Sequence, residues 1–247
     1  MYFHNLINNN MLIKNNVLHS CRLVVMLVLL SITGALAQNV VFEGPCATAT
    51  RRQNGDIIMA RQYVYTGAGL LDSMTETERG NLQGVTRYTY GDGQRRIREE
   101  FFNRNNDLES TVLFSYQEGQ LIERSERERD RLQRYINYVY DSADRLTREL
   151  VYNRGDDLIQ RNEYTYDGSN ERVVRQERFN EDDRLLETLE YFYDESGNLT
   201  LRTRSNRGGD LVDELEYSYD ESGNITTLRR REGRQVITTT YDYSCFE

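Results

Sequence analysis

Histidine, lysine and tryptophan are absent from most of this sequence, and proline nearly so. The 247 residues hold two histidines, one proline and no tryptophan. Both histidines, His4 and His19, and the only lysine, Lys14, precede residue 38. Without histidine the remainder lacks the usual general base at neutral pH, so Ser-His-Asp and Cys-His nucleophile systems cannot be assembled. A His-ligated metal site and lysine Schiff-base chemistry go with it. Long apolar runs are equally scarce. The only one, Leu23 through Leu30, is too short for a comfortable membrane span. Basic charge is limited too. Setting aside Lys14 and Arg22 leaves 29 basic residues, all arginine, against 40 acids, a net charge of −11. That balance argues against nucleic acid as a partner, because such binding is driven by basic patches. Carboxylate-pair chemistry survives these exclusions, although a surplus of acids also simply keeps a protein dispersed.

The N-terminal stretch reads as an export signal. Lys14 and Arg22 precede the apolar run, and Ala35-Leu36-Ala37 offers small residues ahead of a cleavage point before Gln38. Residues 1–37 are therefore expected to be a signal peptide, with Met11 an alternative start. Residues 38–62 are expected to be a segment leading into an array at 63–247. The mature chain is expected in the periplasm, on the outer surface or secreted, without a stable membrane span.

What the mature chain has in abundance is tyrosine, placed periodically. Aromatic-x-aromatic pairs fall at Tyr63/Tyr65, Tyr88/Tyr90, Phe114/Tyr116, Tyr138/Tyr140, Tyr164/Tyr166, Tyr191/Tyr193, Tyr217/Tyr219 and Tyr241/Tyr243. Their second members are 25, 26, 24, 26, 27, 26 and 24 residues apart. Fifteen of the 18 tyrosines belong to these pairs, so tyrosine is an architectural residue here. Between pairs lie two turns and two strands. In one repeat Asp194–Asn198 turns the chain, Leu199–Ser205 leaves, Asn206–Asp210 turns again, and Leu211–Tyr219 returns. So short a unit can only be an antiparallel meander. On the returning strand Leu211, Asp213, Leu215, Tyr217 and Tyr219 share one face, and the period-2 pattern marks a half-buried strand. Pro45 lies before the array and disqualifies no strand.

The expected fold is all-β: about seven to eight tandem β-hairpin repeats in one antiparallel meander. Eight aromatic-ended strands and seven between them make 15, about 65–70 Å of flat sheet. A sheet that wide with one Tyr/Leu face bare would curl, so a curved, spiralling or closed sheet is expected. The repeat core would be Tyr88, Tyr90, Tyr138, Tyr140, Tyr164, Tyr166, Tyr191, Tyr193, Tyr217 and Tyr219.

The segments Tyr-Phe-Tyr-Asp-Glu-Ser-Gly-Asn-Leu-Thr (191–200) and Tyr-Ser-Tyr-Asp-Glu-Ser-Gly-Asn-Ile-Thr (217–226) resemble the YD repeat of Rhs-type bacterial surface and secreted proteins. The match weakens at 138–147 and 164–167, and earlier copies lose the Asp: Gly91 follows Tyr90 and Gln117 follows Tyr116. In large members of that class the repeats wind into a shell around a cargo, commonly a C-terminal toxin. This chain is expected to be a short exported member without toxin or cargo domain. The resemblance implies a β-meander scaffold, with cell-surface or carbohydrate contact as its function.

Cys46 and Cys245 bracket the array. In an oxidising compartment one disulfide between them would require the ends to meet, since Cα atoms must approach within about 7 Å. Free thiols and pairing between chains are the alternatives. Neither cysteine has a histidine to activate it. The Asp-Glu-Ser-Gly-Asn turns offer oxygens, but ordinary turn chemistry accounts for every residue and the spacing is not that of an EF-hand. No metal, cofactor or catalytic residue is therefore assigned. The runs Arg124, Glu126, Arg127, Glu128, Arg129 and Arg229, Arg230, Arg231 read as solvated outer faces. Asn198-Leu199-Thr200 and Asn224-Ile225-Thr226 match the glycosylation sequon, but both Asn are turn residues of the repeat. The expected function is a non-catalytic exported repeat scaffold that binds a protein or glycan partner at the cell envelope or outside the cell. The alternatives are a purely structural surface or assembly component and, less favoured, a carboxylate-based glycan hydrolase.

Overall fold

The computed structural model describes residues 44–52, 54–168 and 172–244. The expected signal peptide at 1–37, residues 38–43 and 53 of the expected lead-in, and Cys245 lie outside these residues. Among the described residues sixteen strands follow one another. They are β1 (Ala47–Arg52), β2 (Ile57–Tyr65), β3 (Leu71–Glu78), β4 (Asn81–Tyr90), β5 (Arg96–Asn103) and β6 (Leu108–Gln117). Next come β7 (Gln120–Glu128), β8 (Arg131–Tyr140), β9 (Leu146–Asn153), β10 (Leu158–Tyr166) and β11 (Val173–Asn180). The last five are β12 (Leu185–Tyr193), β13 (Leu199–Asn206), β14 (Leu211–Tyr219), β15 (Ile225–Glu232) and β16 (Gln235–Asp242). Each pairs antiparallel with its neighbours, and β1 pairs with both β2 and β16, so the sheet closes into a barrel. The closing register sets Ala47 opposite Asp242 and Arg52 opposite Ile237.

The sixteenth strand lies in the segment expected only to lead into the array. β1 reads Ala-Thr-Ala-Thr-Arg-Arg and has no aromatic marker, but Thr48 is buried on the inner face and Thr50 Oγ1 lies 2.8 Å from Thr239 Oγ1 of β16. β2 also begins there, at Ile57.

Bulges explain why the sheet curls shut. The register shifts just before the second tyrosine of seven pairs: Tyr65, Tyr90, Tyr116, Tyr140, Tyr166, Tyr193 and Tyr219. Seven further shifts lie toward the opposite rim, and since each bulge inserts a residue and sharpens the local twist, their repetition around the sheet curls it. It also changes the inward pattern of the outgoing strand. Leu199 faces Tyr193 and Arg202 faces Tyr191, so inward residues there are three apart instead of two. The same i, i+3 spacing gives Leu121/Arg124, Leu146/Glu149, Val173/Gln176 and Ile225/Leu228. Arg124, Glu126 and Arg230, read from sequence as outer-face residues, therefore line the inner wall, where they sit opposite Phe114, Val112 and Leu215. Arg127, Arg229 and Arg231 do face outward, and Arg129 sits in a tight turn at φ 46°.

The Tyr/Leu face is the inner face. Leu189, Tyr191, Leu199, Leu215 and Tyr217 form one buried cluster, and Val112, Phe114 and Leu121 another. Val64 and Phe192, the residues between paired aromatics, are exposed outside. Gly84 occupies an inward position where a β-carbon would meet the Phe102 carbonyl oxygen at 2.2 Å and the Phe101 ring at 2.6 Å. Gly84→Ala is expected to lower stability by about 3 kcal/mol, the upper end of overpacking costs. Urea unfolding of the variant checks this.

Candidate functional site

The inner wall is built in layers, and the repeat sets each layer. Uppermost is a ring of eight tyrosine hydroxyls, one from the last tyrosine of each returning strand. Each donates to a backbone carbonyl near the start of the strand before it. Tyr90 donates to Leu71 O at 2.9 Å, Tyr140 to Leu121 O at 2.9 Å, Tyr166 to Leu146 O at 2.8 Å, and Tyr193 to Val173 O at 2.8 Å. Tyr219 to Leu199 O and Tyr116 to Arg96 O repeat the contact. Tyr65, reaching Pro45 O at 3.0 Å, and Tyr243, reaching Ile225 O at 3.2 Å, complete the ring beside the β1–β16 seam. The donated proton is held firmly, since burial pushes the Tyr140, Tyr193 and Tyr219 hydroxyls up to about 12. The second tyrosine of each pair is thus a staple that locks its hairpin.

Below the ring lie the first aromatics of each pair, Tyr88, Tyr138, Tyr164, Tyr191 and Tyr217 among them. Tyr164, Tyr191 and Tyr217 are buried and Tyr88 and Tyr138 half-buried. Opposite these aromatics stand polar residues: Glu99 facing Tyr88, Arg124 facing Phe114, Glu149 facing Tyr138, Gln176 facing Tyr164 and Arg202 facing Tyr191. Acids, arginines and the amide of Gln176 thus line the wall beside the aromatics, and neighbours join into networks. Arg96 pairs with Glu99 at 2.8 Å, and Glu126 with Arg124 at 2.7 Å and Arg134 at 2.8 Å.

The largest network centres on Asp213, whose side chain is 1 % exposed. Arg204 donates to it through Nε at 3.2 Å and Nη2 at 2.8 Å, Arg230 Nη2 donates at 2.7 Å, and Arg202 Nη2 lies 3.7 Å away. Glu187 extends the chain by binding Arg204 at 3.2 Å and Arg178 at 2.8 Å. Burial alone would raise the Asp213 carboxyl. The three arginines outweigh it and hold the group below the usual carboxylate range.

Glu149 behaves in the opposite way. It is buried and accepts from Asn162 Nδ2 at 2.7 Å. Burial raises its pKa, and the opposing pull of Asn162, Tyr164, Arg124 and Arg178 does not cancel the effect. A carboxyl raised in the folded state contributes stability that is complete below its unfolded value, near 4.3, and is lost as pH rises through the folded value. Glu149→Gln is therefore expected to gain on the wild type as pH rises from 4.5 to 8, measured by urea unfolding at both ends.

The turn residues are occupied by their own backbone. Asp194 accepts from Asn198 N at 2.8 Å and from its side chain at 3.1 Å, and Asp220 does the same with Asn224. Among the described residues no three His, Cys, Asp or Glu side chains gather where a metal could sit. Cys46 is disulfide-bonded, and its backbone N donates to Asp242 O at 2.6 Å, three residues before Cys245.

Outside, the barrel wall is charged along its length. Arg98 and Glu100, Arg161 and Glu163, and Arg175 and Glu177 pair at 3.2, 2.9 and 2.8 Å at mid-strand. A barrel that spans a membrane carries an outward apolar band about 25 Å tall. On this wall the charged pairs at mid-strand interrupt any such band.

No family model and no curated protein matches the chain. Among solved structures it is similar to a porin-like protein from Bacteroides uniformis, at 13% identity and a TM-score of 0.51, over 80% of this chain and 96% of that one. A porin-like protein from Bacteroides vulgatus matches at 7% identity and a TM-score of 0.35, over 81% and 98%. A TcdB2-TccC3-Cdc42 structure matches at 13% identity and a TM-score of 0.25 over 77% of this chain, which spans 16% of that chain. The first of these shows a shared barrel fold.

Proposed function

We propose that this barrel is a short exported YD-like repeat protein that acts as a non-catalytic scaffold, holding a protein or glycan partner at the bacterial envelope or outside the cell. The supporting observation is the division of labour between its two faces. Inside, the Asp213 and Glu126 carboxylates are bound by arginines and the ring of tyrosine hydroxyls by backbone carbonyls, which describes a wall built for rigidity. Outside, a wall that lipid would not accept alternates charge with exposed aromatic and aliphatic side chains such as Phe192, Leu186 and Val64. That mixture suits recognition in water.

A glycan hydrolase needs one carboxyl free to give a proton and another free to receive positive charge. Asp213, held ionised by three arginines, is unsuited to the first role. The test is retention of the mature chain on purified peptidoglycan sacculi and on a panel of immobilised polysaccharides, with cell-surface protein extract as a parallel arm. Saturable retention on one of these is expected. No retention in any arm, or release of sugar from the polysaccharides, would contradict the reading.

A further inference from the structure

Three tyrosines stand outside the repeat pairs: Tyr2, Tyr135 and Tyr152. The last two are the ones the architecture does not use, and the fold brings them together. Tyr135 on β8 lies directly opposite Tyr152 on β9, on the outer face, because the adjacent pair Ile136 and Val151 takes the inner positions. Their rings stack with centroids 4.9 Å apart and planes 11° from parallel. Both side chains are partly exposed. The Tyr135 hydroxyl donates to Asp156 Oδ1 at 3.0 Å in the β9–β10 turn, which helps hold that ring in place.

The surroundings are polar and uneven in height. On β7 the residue opposite Tyr135 is Ser125, so the strand beside this ring offers no side chain of comparable length to cover it. Glu123 and Asn137, opposite each other, flank the stack on the same outer face, with Arg127 on the far side of Ser125. A flat aromatic surface edged by a carboxylate, an amide and a guanidinium suits one class of ligand well. A pyranose presents an apolar C–H face to a ring and hydroxyls to such polar neighbours. A polyanion is disfavoured by the net charge of the chain.

We propose that the Tyr135–Tyr152 stack is a carbohydrate subsite on the outer wall, taking one pyranose ring of a neutral or zwitterionic polysaccharide against the aromatic surface. This rests on the glycan form of the proposed function and gives it an address. A cross-strand aromatic pair also steadies the sheet, so the test separates the two roles. Binding of the mature chain to chitohexaose and to solubilised peptidoglycan fragments is measured by calorimetry, with thermal unfolding alongside. Tyr135→Leu/Tyr152→Leu, which keeps apolar cover but removes the flat rings, is expected to bind at least about tenfold more weakly, roughly 1.4 kcal/mol. Tyr135→Phe/Tyr152→Phe, which keeps the rings, is expected to stay close to wild type. If the double leucine variant does not fold, each single leucine variant is measured against the same expectation. Wild-type affinity in a folded leucine variant would overturn the subsite while leaving a glycan-binding barrel intact. A wild-type chain that binds neither probe would overturn the subsite and the glycan reading together, leaving a protein partner.

Discussion

Asp213→Ala is expected to destabilise the barrel by about 3–5 kcal/mol, the cost of removing one partner from a buried ion network. The size follows from what remains. Arg202, Arg204 and Arg230 converge on this carboxylate, their side chains 8%, 24% and 16% exposed. Taking the acid away leaves three largely buried guanidinium groups near one another, with Glu187 still at Arg204 and only the more distant Glu232, 3.9 Å away, at Arg230. Asp213→Asn keeps the shape and removes the charge, so it separates packing from electrostatics and is expected to recover less than half the loss. The pH dependence follows from the lowered carboxyl. Its stabilisation is present above the unfolded value and is lost as pH falls through the folded one. Wild-type stability should therefore drop on acidification, while the alanine variant loses less over the same range. Urea midpoints at pH 7 and pH 3 measure both effects.

The second large effect concerns Cys46, the disulfide-bonded residue at the barrel's seam. Cys46→Ser is expected to cost about 2–5 kcal/mol, typical for losing a native disulfide. A bond to Cys245 would close a loop of about 200 residues, where the chain-entropy stabilisation is near its maximum. The backbone around Cys46 is also built into the seam, since its N donates to Asp242 O and its O accepts from Tyr63 N at 2.9 Å. Reduction of the wild type should reproduce the variant's loss, and non-reducing peptide mapping should recover Cys46 joined to Cys245. An unchanged unfolding midpoint after reduction would show that the hydrogen-bonded seam suffices alone.

The sequence disclosed the repeat and most of the strands for a simple reason. A returning strand such as Leu211–Tyr219 keeps period-2 alternation from Asp213 to its last tyrosine, and the tyrosine recurs at the same place in every hairpin. Only Leu211, expected on the inner face, is turned outward and exposed, because a bulge sets it opposite Ser205. The outgoing strands were less legible. The bulge at the Tyr191/Tyr193 pair, repeated at six others, places Leu199 and Arg202 on one face, and a period-2 reading assigns such a strand the wrong inward set. A period-2 pattern puts Arg124, Glu126 and Arg230 on the solvated face for that reason and hides the charged inner belt. Two signals pointed to it: Asp213 and Glu187 already fell on the Tyr/Leu face, where unpaired acids would be costly. Closure was legible only as one option, because β1 consists of alanine and threonine and carries no marker. The outer tyrosine stack lay hidden too, since Tyr135 and Tyr152 meet only once the β8–β9 register is known.

The central claim is that the sheet closes on itself through β1 and β16. Thr50 and Thr239 are opposite across that seam with their hydroxyl oxygens 2.8 Å apart. The decisive measurement is non-reducing peptide mapping of Thr50→Cys/Thr239→Cys made in a Cys46→Ser/Cys245→Ser background. The closed barrel requires rapid, near-complete bonding of these two cysteines within one chain, at any protein concentration. Free thiols, or bonds only between chains, would mean the seam is open and the barrel account is wrong.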